Sequence, residues 1–164
     1  MIAQRYRIFF LLVTVYAGVL ACNATGEIEI ENAKLRIIEA GTFTRISEYF
    51  TGHENRGRRV IVRSDPENRG GLYFIIRFSE STRDFPEGLH LRIDYYSTKQ
   101  GELEHREFEL PYPMKHTNRI FAGVTAEETE NMTLPIAWRI QLLHQDGSLY
   151  SELKSYLWEM PETL

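Results

Sequence analysis

The stretch Leu72–Phe78, with the sequence LYFIIRF, has six apolar or aromatic residues in seven positions. Aromatic and β-branched residues favour extended backbone, and a short apolar run between turns is typical of a buried strand. Turn sequences do bound it, because Asp65-Pro66 and Gly70-Gly71 precede the stretch and Phe85-Pro86-Glu87-Gly88 follows it. We therefore predict that Leu72–Phe78 is a central strand of the core.

Further strand patterns extend from this stretch towards both ends of the chain. Leu89–Tyr95 has apolar side chains at alternate positions, which indicates a strand with one buried face. Asp146-Gly147, between two apolar-rich runs, predicts a hairpin because a tight turn there requires positive φ angles. The other predicted strands are 27–31, 35–46 with an interruption at Gly41, 58–63, 104–110, 119–124, 136–144 and 149–159. In the last of these, Tyr150 and Leu153 belong to opposite faces, and the sequence leaves open which face is buried.

These patterns predict an all-β protein. About eight short strands with frequent turns, and no long amphipathic helix, favour an antiparallel β-sandwich over 27–164 as a single domain. An immunoglobulin-like arrangement is the expected one, with a jelly roll or a small barrel as alternatives. The composition, 43% hydrophobic and 26% charged residues, is that of an ordinary globular domain.

Residues 1–21 have the pattern of a signal peptide. Arg5 and Arg7 form a positive start, and Ile8–Ala21 follows as an uncharged, mostly apolar run. This run is shorter than the ~20 residues that a transmembrane helix needs. The pattern therefore predicts export rather than a membrane span.

The end of this segment, Val19-Leu20-Ala21-Cys22, resembles the lipobox of bacterial lipoproteins. The resemblance implies that Cys22 becomes the first residue of the mature protein and carries diacylglyceryl and acyl chains such as palmitate. Residues 22–26 would then be the lipidated cysteine and a short polar spacer. Cys22 is also the only cysteine, so an intramolecular disulfide is excluded. The expected location is the cell membrane or the outer membrane, facing the periplasm or the cell surface.

Two other fates of the exported chain stay open. Val19 and Ala21 also fit ordinary signal cleavage, which would release a soluble secreted protein. Asn23 and Asn131 each begin a glycosylation sequon, as in a secreted glycoprotein.

The sequence predicts no catalytic residue, metal site or cofactor. The histidines lack metal-ligand spacing. His90 and His105 lie on neighbouring predicted strands where they could face each other, but two solvated strand residues are the favoured interpretation. Nucleophile and phosphate-loop motifs are absent from the sequence. The alternating glutamates near residues 102–109 are typical of a solvated strand face.

The strongest local charge asymmetry is a group of five arginines within 14 positions: Arg56, Arg58, Arg59, Arg63 and Arg69. Such a group is a candidate surface for anionic head groups, lipopolysaccharide or an acidic partner. The alternative is that these arginines protect strand edges and pair with acids such as Asp65 and Glu67. Without residues 1–21 the chain has 17 basic and 23 acidic residues, a net charge of -6. That balance argues against nucleic acid as a partner.

The sequence thus predicts a non-catalytic lipoprotein of the cell envelope that acts as a binding or accessory module. Its expected partners are the membrane, through the lipid on Cys22, and an envelope protein or glycan. The alternatives are a small secreted or envelope hydrolase that acts on carbohydrate, and a structural subunit that donates or accepts a strand in an envelope assembly.

Overall fold

Eight strands form two four-stranded sheets that pack face to face. The computed structural model describes residues 28–97, 101–130 and 132–158; the predicted signal peptide, Cys22 and spacer lie outside these ranges. The strands are β1 (Ile30–Ile38), β2 (Val60–Arg63), β3 (Gly71–Phe78), β4 (His90–Tyr96), β5 (Leu103–Glu109), β6 (Arg119–Thr125), β7 (Trp138–Leu143) and β8 (Leu149–Lys154). A short helix, α1 (Glu48–Thr51), and the 3-10 turns Ala40–Phe43, Thr82–Asp84 and Tyr156–Trp158 complete the described elements.

The predicted central strand is β3. The first sheet has the order β1-β3-β6-β2, so β3 lies between two neighbours. The second sheet has the order β5-β4-β7-β8 and is antiparallel throughout. The prediction of an all-β sandwich is therefore confirmed.

The immunoglobulin-like arrangement is not confirmed. The first sheet ends in β2, which precedes β3 in the chain and runs parallel to β6. β1 and β2 lie at opposite edges of this sheet and run in the same direction, so residues 39–59 form a crossover between them.

The main core lies between the sheets. Phe74, Ile76 and Phe78 of β3 point inwards and are fully buried. From the second sheet they meet the equally buried side chains of Leu91, Ile93, Ile140 and Leu142. β3 is apolar on both faces because its outer face, which points away from the second sheet, is also partly covered.

Two predicted strand boundaries are wrong. The ranges 27–31 and 35–46 merge into β1, which continues through a bulge near Glu31 and ends at Ile38. The chain then turns in a 3-10 helix over Ala40–Phe43 instead of continuing as a strand. The extra residue at the bulge explains why alternation alone missed the single strand, since it shifts the side-chain phase by one position.

A second bulge explains the two rival faces of β8. Ser151 pairs with Leu142 and Leu149 pairs with Leu143, so Tyr150 is an extra residue in the ladder. The phase change allows both Tyr150 and Leu153 to pack against the main core.

A smaller apolar cluster covers one end of the outer face of the first sheet. Phe43, Ile61 and Tyr73 are buried there, and the rings of Phe43 and Tyr73 lie 4.8 Å apart. Gly123 of β6 stands directly opposite Tyr73 in the strand register. A Cβ atom at position 123 would lie 2.5 Å from Cε1 of Tyr73, so the ring packs where only glycine leaves room.

We predict that Gly123→Ala lowers the free energy of unfolding by about 1–3 kcal/mol, because the added methyl group overpacks against a fully buried ring. Urea unfolding at neutral pH measures the change. Gly41→Ala is the matched control, since a Cβ atom there meets nothing within 4 Å, and it should change the stability little. Equal stability of the two variants would contradict the prediction.

Candidate functional site: a basic groove on the first sheet

The outer face of the first sheet is covered at only one end. Residues 39–57, which include Phe43, cover Tyr73 there. Ile75 of β3 and Phe121 of β6 remain partly exposed at the other end. A groove of about 680 Å³ lies above these two side chains. An apolar patch left open in this way is a typical place for a ligand.

The strand register surrounds this apolar floor with cations. Lys34 lies opposite Ile75, and Arg36 lies opposite Tyr73. Arg77 lies opposite Arg119 at the open end of the groove. Arg59 completes the far wall, with its guanidinium carbon 5.6 Å from the centre of the Phe121 ring. We call this surface the basic groove: Lys34, Arg36, Arg59, Arg77 and Arg119 around Ile75 and Phe121.

Few carboxylates neutralise the basic groove. Arg77 forms an ion pair with Glu31 at 2.9 Å, and Glu39 is the acid that lines the large cavity. Among the described residues, no carboxylate lies within salt-bridge distance of the other four cations. All five side chains are exposed. The groove is thus strongly positive on a chain whose net charge is negative.

The structure separates the five arginines of the sequence-predicted patch. Arg59 alone lies in the basic groove. Arg63 and Arg56 both contact Glu54, and Arg69 contacts Glu48 at 2.6 Å. Arg58 is exposed beside Arg59. The acids that pair with the patch are therefore Glu48 and Glu54, not the Asp65 and Glu67 named from the sequence.

Arg63 is committed to a buried cluster. Its side chain is 3% exposed and binds both carboxylate oxygens of Glu54, at 2.6 and 2.9 Å. Its Nε also donates to the hydroxyl oxygen of Tyr73 at 2.9 Å, and that hydroxyl donates to the carbonyl oxygen of Arg69 at 2.7 Å. The Arg63 hydrogen bonds lower the pKa of Glu54 to about 2, with a smaller contribution from Arg56, although burial opposes the shift. This cluster ties residues 48–57 to the sheet, and the Arg63 guanidinium carbon also lies 5.2 Å from the centre of the Phe43 ring, which lines the groove.

We predict that Glu54→Gln lowers the free energy of unfolding by about 2–3 kcal/mol at pH 7, because it leaves Arg63 buried without its anion. A carboxylate with a depressed pKa stabilises the fold above its unfolded value of 4.5 and loses this effect as the pH falls towards 2. The difference from the parent chain should therefore shrink between pH 4.5 and 2, which urea unfolding at several pH values measures. Glu67→Gln, at an exposed turn, is the control. If the difference in the free energy of unfolding between Glu54→Gln and the parent chain stays constant down to pH 2, the role assigned to the Glu54 carboxylate is wrong.

The outer face of the second sheet carries a different polar cluster. Asp94 is 1% exposed and contacts Nδ1 of His105 and a guanidinium nitrogen of Arg139, each at 2.6 Å. Burial would raise the pKa of Asp94, but these two partners lower it overall. Trp158 covers the guanidinium group of Arg139 at 5.1 Å. This arrangement fixes the orientation of the exposed His105 ring. The Asp94 carboxylate that holds the ring also pairs with Arg139.

His90 and His105 do not face each other across the hairpin of β4 and β5. In the register of β4 and β5, His90 lies opposite Glu109 and His105 lies opposite Asp94. His90 instead lines a shallow cavity of about 580 Å³ with Glu107 and Glu109. The spacing of histidines in a sequence does not fix the register of a hairpin. Here the residue opposite His105 is Asp94, which lies four residues from His90.

Two further searches cover the described ranges only. Within 28–97, 101–130 and 132–158, no three histidine, cysteine or acidic residues are grouped so that they could hold a metal ion. In the same ranges, no helix has the length and apolar character to cross a membrane.

The basic groove was not predicted from the sequence. Four of its cations lie on three strands outside the arginine-rich stretch, and Arg77 and Arg119 are brought together only by the pairing of β3 with β6. The available signal was the alternation of Lys34 and Arg36 with apolar neighbours in β1. No family model matches the sequence, and neither curated proteins nor solved structures give a match.

Proposed function

We propose that this protein is a non-catalytic, exported binding module that is anchored to a membrane through Cys22 and takes an anionic ligand in the basic groove. The observation that carries the binding role is the arrangement of five cations around an uncovered apolar floor. A basic groove selects anions even on an acidic chain. The charges on the groove walls, and not the net charge of the chain, determine the electrostatic potential at a ligand that docks there.

The membrane anchor rests on the lipobox-like end of the signal segment. Each buried methylene group contributes about 0.8 kcal/mol to membrane binding, and two or more acyl chains give stable attachment. The anchor would hold the domain beside the anionic molecules of the cell envelope, such as an envelope glycan or an acidic protein. Tether and groove would then serve one role, namely the retention of an anionic envelope component at the membrane surface.

We predict that the protein purified from membranes of a bacterial host begins at Cys22 and carries diacylglyceryl mass. Intact-mass measurement and sequencing of the N-terminal peptide provide the test. An unmodified chain that begins at or near Cys22 would contradict the anchor and indicate a soluble secreted protein. Glycan mass at Asn23 or Asn131 in the chain purified from its native source would favour the glycoprotein alternative.

For the groove, we predict that the purified chain is retained on heparin, a soluble polyanion, despite its negative net charge. Arg36→Glu and Arg59→Glu, on opposite walls, should each lower the salt concentration at which the protein elutes, because each replaces an attractive charge with a repulsive one.

Arg83→Glu is the matched control. Arg83 is exposed in the Thr82–Asp84 turn and does not line the groove, and the substitution changes the net charge by the same amount. An equal shift for Arg83→Glu would mean that overall charge, and not the groove, determines retention. That result would contradict the binding role.

A further inference from the structure

We propose that Asn32, Lys34, Arg77 and Arg119 form an oxyanion subsite at the open end of the basic groove, and that it binds the phosphate group of a ligand with an apolar body. This inference rests on the proposed function and names the ligand chemistry of the same groove. Ile75 forms the floor of the subsite, which is a depression of about 90 Å³.

The strand register builds the subsite from three strands. Asn32 on β1, Arg77 on β3 and Arg119 on β6 form one row across the sheet, with neighbouring strands ~4.8 Å apart. Lys34 adds a cation from the next position on the same face of β1. All four side chains supply hydrogen-bond donors. Guanidinium groups at this spacing can bind different oxygens of one phosphate.

The charges of the subsite are unbalanced without an anion. Like charges directly opposite each other in a sheet are destabilising, yet Arg77 and Arg119 are such a pair. Glu31 contacts Arg77 from the exposed rim, where both side chains are more than 40% exposed. Arg119 has no ion-pair partner among the described residues. A bound dianion would neutralise both guanidinium groups, and a phosphate monoester carries about -1.5 to -2 at pH 7.

The size of the depression limits what it can hold. A volume of 90 Å³ is comparable to that of a few water molecules, which suits a single oxyanion better than a larger group. The remainder of the ligand must therefore lie outside it. Ile75, Lys34 and Arg119 also line the larger cavity, so the two spaces are continuous. The ligand body would rest on Ile75 and Phe121, which favours an apolar group.

Calorimetric titration of the chain purified from host membranes in non-ionic detergent tests this proposal with three probes. Hexyl phosphate carries both the phosphate and an apolar body, inorganic phosphate carries only the anion, and hexanol carries only the apolar body. We expect hexyl phosphate to bind more tightly than inorganic phosphate, and hexanol to give no binding. Inorganic phosphate that binds as tightly as hexyl phosphate would identify free phosphate as the ligand and overturn the apolar-body inference.

Arg119→Gln should weaken the binding of both phosphate probes at least tenfold, because it removes the guanidinium group that lacks a carboxylate partner. Arg83→Gln, which removes an exposed arginine elsewhere, should leave both affinities unchanged. Equal effects of the two variants, or unchanged affinity in Arg119→Gln, would overturn the subsite. If Arg36→Glu still lowers the salt concentration at which the protein elutes from heparin in that case, the proposed function stands without the subsite. A parent chain that binds neither heparin nor phosphate would overturn both.

Discussion

The buried pair of Arg63 and Glu54 determines which part of the first sheet stays open. A guanidinium group removed from water needs an anion and good hydrogen-bond geometry, and Glu54 supplies both through two parallel contacts. Tyr73 joins the pair to the carbonyl oxygen of Arg69, which lies just before β3 in the chain. The segment that carries Glu54 is therefore held over one end of the sheet. The uncovered remainder is the basic groove, so the groove's length depends on this contact.

The burial of both faces of the first sheet explains which strands could be predicted from the sequence. Leu72–Phe78 was predictable as a central strand because its side chains are apolar on both faces, and the structure buries both in large part. Alternation predicted the inward face of β4 correctly, since Leu91 and Ile93 are fully buried. Strand ends were less predictable, because bulges near Glu31 and Tyr150 shift the phase of the pattern.

The candidate site could not be predicted from local sequence patterns. Sequence proximity grouped Arg59 with Arg63, although one lies in the open groove and the other is paired and buried. The pairing of β3 with β6 instead places Arg77 beside Arg119 from distant parts of the chain. Such contacts depend on strand order, and the parallel pairing of β2 with β6 gave no signal in the sequence. The charge of each arginine was visible, but the presence or absence of a carboxylate partner depends on the tertiary structure.

The edge strand β5 has a consequence for copies of this chain held close together, as the proposed membrane anchor would hold them in two dimensions. On the side of β5 that faces the core, Glu104 and Arg106 form an ion pair, and Glu104 also accepts a hydrogen bond from the Tyr95 hydroxyl. A second chain that added a strand at this edge would cover these two charges and remove water from them. Inward-pointing charges are a common protection of sheet edges against aggregation. Molecules crowded together in two dimensions would then keep their sheets separate at β5, and each would leave its groove accessible.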